Sequence, residues 1–360
     1  MTRRSEERAG LRPDTLLGSV ALLLAVNVVQ RSVGFGRGVL FCRWLEPDAL
    51  GLWEMAYGFL LLAAPVAVLG LPGCFGRYMT RYREQGQLRV FLYRTGAWTF
   101  VSAAIAVGLI AWQSPAFAAL VFGDSREAPL MTLVAGCLAV IILHHFLEAV
   151  FAGLRLFRVV SAMHFCQSMA FAAIALTLIM KWRADASSIV AGYAAACGLS
   201  VTGVLGWSML RVRRATDAAA APRHREFWPV LLRFAVWVWV SNLLANVFST
   251  VDRYMILHYG GFDSATALEM VGNYHASVIV PVLLVSVANL LTGAMIPHLS
   301  HAWEAGQTED VSARVNLSLK LCSFGMLAVG CGLLLFCPLL FSAAFEGKYD
   351  AGLAVLPWTI

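Results

Sequence analysis

The chain has 360 residues, of which 59% are hydrophobic and only 13% are charged, and its net charge is +6. A soluble domain carries about 25% charged residues, so this composition argues against one large soluble core and indicates a multi-pass membrane protein. The eight cysteines contain no Cys-x-x-Cys pair and lie mostly in apolar runs. They predict small buried side chains, with no disulfide framework, metal site or cofactor.

Nine apolar segments, numbered here as spans 1 to 9, are long enough to cross a bilayer, which takes about 20 helical residues. They cover residues 16–44, 49–71, 90–112, 130–154, 159–180, 187–210, 227–259, 268–296 and 315–341. A further apolar run begins at Ala351. The pattern predicts an all-α polytopic membrane protein.

Two basic stretches divide this pattern into units. Residues 1–14 form a charged tail, and residues 211–226 form an alanine-rich, proline-containing stretch that is typical of a linker. We predict an N-terminal bundle of six helices at 15–210 and a second bundle at 227–360.

Lysine and arginine are distributed unevenly among the predicted loops. The tail and the loops after even-numbered spans carry sixteen of them, whereas the loops after odd-numbered spans carry five. Because cytoplasmic loops are enriched in positive residues, we predict that the N-terminus and the linker are cytoplasmic.

Span 1 carries a polar stripe within an otherwise apolar helix. Asn27, Gln30, Arg31 and Arg37 are spaced by three and four, which places them on one face. An arginine at the bilayer centre costs about 2.5–3.5 kcal/mol on insertion scales, so such residues usually face a bundle interior or a watery cavity. We predict that Arg31 lines a cavity; the alternative is an arginine that reaches a lipid headgroup, which fits Arg37 better than Arg31.

The second half of the chain repeats features of the first. Arg37, seven residues after Gln30, corresponds to Arg253, seven residues after Asn246. Further matches in the same order are Gly51 with Gly272, Gln87 with Gln307 and Pro115 with Pro338. An even number of spans inserts both units the same way, which predicts parallel repeats about an axis along the membrane normal. Such an axis would place Arg37 and Arg253 on opposite walls of one cavity.

Four motifs carry a resemblance to a known family: LEPDALGLW at 45–53, GLPGCFGRY at 70–78, TVDRYMI at 250–256 and IPHLS at 296–300. With the arginines of span 1, they resemble the polysaccharide and O-antigen flippases of the MOP exporter superfamily. The resemblance implies a MATE-like fold of two six-helix bundles around a central cavity. It also implies export of a polyprenyl-pyrophosphate-linked oligosaccharide across the bacterial cytoplasmic (inner) membrane, for lipopolysaccharide or exopolysaccharide biosynthesis.

The partners that this resemblance implies are the lipid-linked oligosaccharide, membrane lipids, and a polymerase and glycosyltransferases of the same pathway. No nucleic acid is expected. The sequence contains no GxSxG, Walker A or Rossmann motif, so we expect neither an enzyme nor ATP-driven transport within this chain. An ion gradient or removal of the product would then give transport its direction.

The predicted substrate site combines cations with neutral amides. A pyrophosphate in hydrocarbon requires fixed positive charge, and a guanidinium group binds phosphate through two parallel hydrogen bonds. The predicted substrate-binding residues are Arg31, Arg37 and Arg253 for phosphate, and Asn27, Gln30, Asn242 and Asn246 for sugar hydroxyls. We expect Glu54 to pair with Arg37 and Asp252 to pair with Arg253 at rest. The alternative is that these pairs only hold helices together.

Span 4 contains a second group of ionisable residues. His144 and Glu148 are four residues apart and share a helical face, next to His145. They fit a proton relay or a structural pair that holds span 4 to span 5 through His164 or Gln167. The HExxH order of metalloproteases is absent.

Two other classes of function remain open. One is another MOP exporter, either a lipid II flippase or a multidrug–cation antiporter, although drug antiporters favour acids over arginines in the cavity. The other is a membrane polysaccharide polymerase or an acyltransferase, which would require a catalytic residue on a substantial outer loop.

The repeat also predicts that the second bundle is incomplete in this chain. At the common offset, Ile360 corresponds to about Cys137, early in span 4. The first unit continues to residue 210, so about 70 residues would be lacking if spans of about 20 residues are counted.

The charge pattern makes a testable prediction about topology. A cysteine introduced at Gly261, in the loop after span 7, should react with a membrane-impermeant thiol reagent in intact cells. A cysteine at Ala218, in the linker, should react only after permeabilisation. Labelling of Ala218→Cys in intact cells would reverse the predicted orientation.

Overall fold

The structure, a computed structural model, describes residues 16–211, 224–304 and 308–359. Within these ranges it contains helices and no strand. The α-helices are α1 Leu16–Trp44, α2 Pro47–Val68, α3 Phe75–Glu84, α4 Leu88–Trp112, α5 Ser114–Phe122, α6 Ala128–Gly153, α7 Phe157–Lys181, α8 Ala186–Arg211, α9 His224–Tyr259, α10 Ser264–Glu304, α11 Thr308–Phe345 and α12 Asp350–Thr359. Short 3₁₀ helices lie at Leu71–Cys74 and Ser125–Glu127.

The all-α membrane architecture predicted from the sequence is confirmed. Among the described residues, eight helices are long and apolar enough to cross a membrane. Span 1 coincides with α1, and spans 2 to 6 agree with helices to within three residues at each end. The tail and most of the linker lie outside the described residues.

The sequence prediction differs from the structure in two respects. The helices α10 and α11 extend well beyond spans 8 and 9, because hydropathy marks the limits of the apolar region rather than the end of the helix. The short helices α3 and α5 were predicted as loops. Both are too short to span a bilayer, and Phe75 and Met79 anchor α3 in the core while its charged residues face outward.

One large core joins the two halves of the chain, here defined as residues 16–211 and 224–359. Trp53 of α2 and Phe171 of α7 belong to the same buried cluster as Leu257 of α9, Val271 of α10 and Phe345 of α11. The two halves are therefore packed against each other over a shared apolar surface.

The two halves approach each other closely where α2 and α10 cross at two glycines. A Cβ atom on Gly51 would collide with the carbonyl group of Leu268, and one on Gly272 would collide with the carbonyl group of Pro47. These two glycines are a matched pair of the sequence repeat, and each rests on the other helix's backbone. The reciprocal contact is the arrangement expected near a two-fold axis.

Loops from both halves also meet at one end of the molecule, called here the loop end. Lys348 Nζ donates to Glu46 Oε1 at 2.8 Å, and Tyr349 OH donates to the carbonyl of Leu45 at 3.2 Å. A third contact between the two halves joins Ser264 Oγ, as the donor, to the carbonyl of Gly123 at 2.9 Å. The halves are thus bonded together at the end that the charge pattern predicts to be external.

The structure refines the labelling site for the topology experiment. Gly261 has a φ of 74°, which a cysteine would adopt only with strain. The neighbouring Phe262 is 52% exposed and has no such restriction, so Phe262→Cys is the better external probe.

The glycine crossing predicts a selective effect of small substitutions. Gly51→Ala and Gly272→Ala should each separate α2 from α10, and overpacking of this kind costs about 1–3 kcal/mol. We expect a lower melting temperature of the purified protein in detergent, measured by the fluorescence of a thiol dye or of tryptophan.

Gly203→Ala is the matched control, because Gly203 also lies within a helix and nothing surrounds its Cβ position. Its melting temperature should equal or exceed that of the wild type. Equal stability of Gly51→Ala, Gly272→Ala and the parent protein would contradict the close crossing.

Candidate functional site

A cavity of about 610 Å³ lies between the two halves of the molecule. It is lined by α1 and α2, by α7 and α8, and by α9 and α10. Five of the seven predicted substrate-binding residues line it: Asn27, Gln30, Arg31, Arg37 and Arg253. This cavity, called here the central cavity, is the candidate binding site.

Arg31 and Arg37 of α1 both present their guanidinium groups to the central cavity. Arg31 is exposed to the cavity, and its Nη1 donates to Ser286 Oγ of α10 at 2.6 Å. Arg37 is half-buried, and its guanidinium carbon lies 4.1 Å from the ring centre of Phe171. That stacking holds the group flat against the wall by a cation–π interaction.

Glu54 is the only acidic residue among the described residues that line the cavity. It is only 5% exposed. Its Oε2 lies 3.1 Å from Nε of Arg253 on α9, and its Oε1 lies 3.0 Å from Nδ1 of His275 on α10. One carboxylate of the N-terminal half therefore contacts two basic groups of the C-terminal half.

The structure corrects both predicted ion pairs. Glu54 pairs with Arg253 across the halves, whereas Arg37 stacks on Phe171. Asp252 projects from α9 in a different direction from Arg253, since adjacent helical residues are about 100° apart. Its Oδ2 accepts a hydrogen bond from the hydroxyl of Tyr274 at 2.9 Å. Pairing across a tertiary interface cannot be derived from sequence spacing.

Aromatic side chains form the wall beside the arginines, and the sequence analysis missed them. The ring centres of Trp53 and Tyr57 are 5.4 Å apart, and those of Phe171 and Tyr193 are 4.9 Å apart. All four line the cavity. In the sequence they look like ordinary apolar helix residues, so only their convergence identifies them.

Asn242 and Asn246 are not in the central cavity. They line a second, smaller cavity of about 330 Å³, together with His145 and the C-terminal half of α2. Asn246 Nδ2 donates to the carbonyl of Leu61 at 2.9 Å. Asn246 precedes Arg253 by seven residues, or about 10 Å along a helix, which is far enough to reach a separate cavity.

The ionisable residues of span 4 lie away from the central cavity, at the contact of α6 and α7. Glu148 accepts from His145 Nδ1 at 3.2 Å and from His164 Nε2 at 2.9 Å. Glu148 therefore pairs with His145 and His164 and not with His144, and the contact with His164 is one of the predicted links between span 4 and span 5. Gln167 lies 4.0 Å from Cys197 Sγ instead.

The architecture itself indicates the class of protein. Long apolar helices from two halves line a cavity that carries three arginines and one glutamate, and this arrangement is typical of a membrane transporter. The comparisons with known proteins agree. The sequence matches the family described as polysaccharide biosynthesis protein over residues 16–303. The chain belongs to this family.

A solved structure has the same fold. It is described as the inward-facing conformation of a multidrug resistance MATE family transporter of the MOP superfamily, and it superposes with a TM-score of 0.59 at 13% identity. The match covers 94% of this chain and 81% of that chain. No protein in the curated set compared matches the sequence. The predicted MATE-like fold is thereby confirmed.

Because Glu54 is buried, we predict that removing its charge strongly lowers the stability of the folded protein. Glu54→Gln leaves the guanidinium group of Arg253 without a counter-charge and His275 without its carboxylate partner, and breaking a buried ion pair costs about 3–5 kcal/mol. We expect a clear drop in the melting temperature of the purified protein. Glu54→Gln combined with Arg253→Met should recover part of it.

Glu46→Gln provides the control, because it removes a comparable link between the halves at an exposed site. Glu46 pairs with Lys348 with its side chain 68% exposed, and surface pairs contribute about 0–1 kcal/mol. Equal losses in Glu46→Gln and Glu54→Gln would mean that Glu54 does not hold the halves together.

Proposed function

We propose that this protein moves a polyprenyl-pyrophosphate-linked oligosaccharide across the bacterial cytoplasmic (inner) membrane. The proposal rests on the charge of the central cavity. Three guanidinium groups, from Arg31, Arg37 and Arg253, line it against the single carboxylate of Glu54 in the described part of the chain. A cavity with this excess of fixed positive charge favours an anionic cargo.

The family and the chemistry of the wall narrow the type of anion. Membership of the polysaccharide biosynthesis protein family favours a cargo that carries sugar. Phosphate oxygens suit the arginines, and sugar hydroxyls suit the neutral amides of Asn27 and Gln30. The aromatic wall offers apolar surface beside these polar groups.

The positive charge of the central cavity argues against the main alternative, a multidrug–cation antiporter. The similar MATE structure is described as that of a multidrug resistance transporter, but a cationic drug would be repelled by an arginine-rich cavity. A lipid II flippase has the same phosphate chemistry and differs in its glycan. It remains the second candidate within the proposed substrate class.

The proposed orientation follows the charge pattern. The N-terminus and the linker are cytoplasmic, and the loop end is external. In this orientation, export would carry the substrate from the cytoplasmic side of the central cavity towards the loop end. The polymerase and glycosyltransferases of the same pathway are the proposed functional partners.

Lysine substitution tests the phosphate-binding role. Arg37→Lys keeps the positive charge but loses the planar guanidinium group. That group stacks on Phe171 and can bind phosphate through two parallel hydrogen bonds. Hydrogen bonds to charged groups contribute about 1.5–3 kcal/mol, so we expect at least a tenfold loss of translocation by Arg37→Lys and by Arg253→Lys. The assay follows a labelled lipid-linked oligosaccharide in proteoliposomes by its accessibility to an impermeant glycosidase.

Arg43→Lys is the control, because Arg43 lies on the same helix but pairs with Glu346 at 2.9 Å. It should transport at the wild-type rate. Wild-type transport by Arg37→Lys, Arg253→Lys and Arg31→Ala in folded protein would contradict the proposed site. Transport of a cationic dye but not of lipid-linked sugar would favour the drug antiporter.

A further inference from the structure

A group of four side chains, called here the histidine cluster, lies at the contact of α6 and α7. None of them is among the residues that line the central cavity. It comprises His144, His145 and Glu148 of α6 and His164 of α7. The carboxylate of Glu148 lies between two imidazoles, 3.2 Å from His145 Nδ1 and 2.9 Å from His164 Nε2. The cluster therefore joins two neighbouring helices through polar groups.

Glu148, His145 and His164 are hydrogen-bonded to one another through the carboxylate of Glu148, but His144 takes no part in these bonds. His144 is only 4% exposed, and its Nε2 has no hydrogen-bond partner among the described residues. Its ring packs edge-on against the rings of His145 and His164, with centres 5.7 and 6.3 Å away. Buried polar groups are almost always partnered, so an unpaired imidazole nitrogen beside three ligand-type side chains indicates a missing partner.

The geometry suits a metal ion as that partner. One potential ligand atom from each of His144, His145 and Glu148 lies within 4.8 Å of the others. Ligand atoms around a tetrahedral ion with bonds of about 2.0–2.2 Å are about 3.3–3.6 Å apart. Closing that difference requires movement of these side chains. His164 of α7, whose Nε2 lies 2.9 Å from Glu148 Oε1, is the candidate fourth ligand.

The ligand types define the class of ion. Imidazole nitrogens favour late first-row transition metals, whereas magnesium and calcium prefer oxygen ligands. Three neutral histidines and one carboxylate also leave a single positive charge on a divalent ion. We propose that the histidine cluster binds one divalent transition-metal ion, with Zn²⁺ as the best match.

The histidine cluster borders the second cavity. His145 is exposed and lines the second cavity, beside Tyr57 and Asn246. An ion that reached this cavity would meet His145 first and the buried His144 last. Bound there, it would fasten α6 to α7 within the N-terminal half and leave the arginines of the central cavity untouched.

Metal titration of the full chain tests the proposal directly. The protein is purified in detergent without a histidine tag, stripped with a chelator, and titrated with Zn²⁺ in competition with a chromophoric chelator. We expect one Zn²⁺ per chain and a higher melting temperature in the zinc-loaded protein. Glu148→Gln and His144→Asn should each raise the dissociation constant at least tenfold, since even outer-shell partners of a metal contribute about 10–100-fold.

His258→Asn is the matched control. His258 is an exposed histidine of α9 that bonds to the carbonyl of Leu120 at 2.8 Å, far along the chain from the cluster. Its variant should bind Zn²⁺ like the wild type. Titration with Co²⁺ supplies a second measurement, because visible absorption bands of tetrahedral nitrogen and oxygen coordination should appear in the wild type and in His258→Asn.

The outcomes separate this site from adventitious binding and from the proposed transport function. Zinc held by a thiol or by a surface histidine would survive Glu148→Gln, and that result would overturn the proposal. Absence of stoichiometric Zn²⁺ binding by folded wild-type protein would do the same. Failure of lipid-linked sugar transport would leave the metal titration unchanged, because the readout requires no substrate.

Discussion

The carboxylate of Glu54 ties the two halves of the molecule together. It is buried, and both of its basic partners, Arg253 and His275, belong to the other half. A buried charge that loses its partner is strongly destabilising, so the positions of α9 and α10 relative to α2 depend on this contact. The glycine crossing at Gly51 and Gly272 lies one helical turn away and brings the two backbones close enough for the contact to form.

The same contact gives the central cavity its electrostatic character. Glu54 faces Arg253 and His275, while Arg31 bonds to a serine hydroxyl and Arg37 stacks on an aromatic ring. The positive charge of α1 is thus held in place by neutral groups. In a cavity surrounded by apolar helices, where the effective dielectric constant is lower than in water, such charge would attract an anionic cargo. An anion that bound Arg253 would also compete with Glu54, which would link cargo binding to the contact between the halves.

Much of the fold could be predicted from the sequence because hydropathy acts locally. Long apolar runs must become helices in a membrane, where no water satisfies the backbone, so spans 1 to 6 agreed closely with helices. The short helix α3 was not predicted because a search for long apolar runs does not detect a short amphipathic helix. The repeat matches were informative as well, since the pair Gly51 and Gly272 forms a reciprocal contact and the pair Arg37 and Arg253 lines one cavity.

The sequence by itself determined the class of protein, the helices and the polar stripe of α1, because composition and helical periodicity are properties of neighbouring residues. Only the tertiary structure decided the partners. It paired Glu54 with Arg253 rather than with Arg37, placed Asn246 in a different cavity from Gln30, and gathered Trp53, Phe171 and Tyr193 into one wall. These contacts join residues that are far apart along the chain, and side-chain partners across helices are set by packing angles and depth in the membrane, which no local pattern encodes.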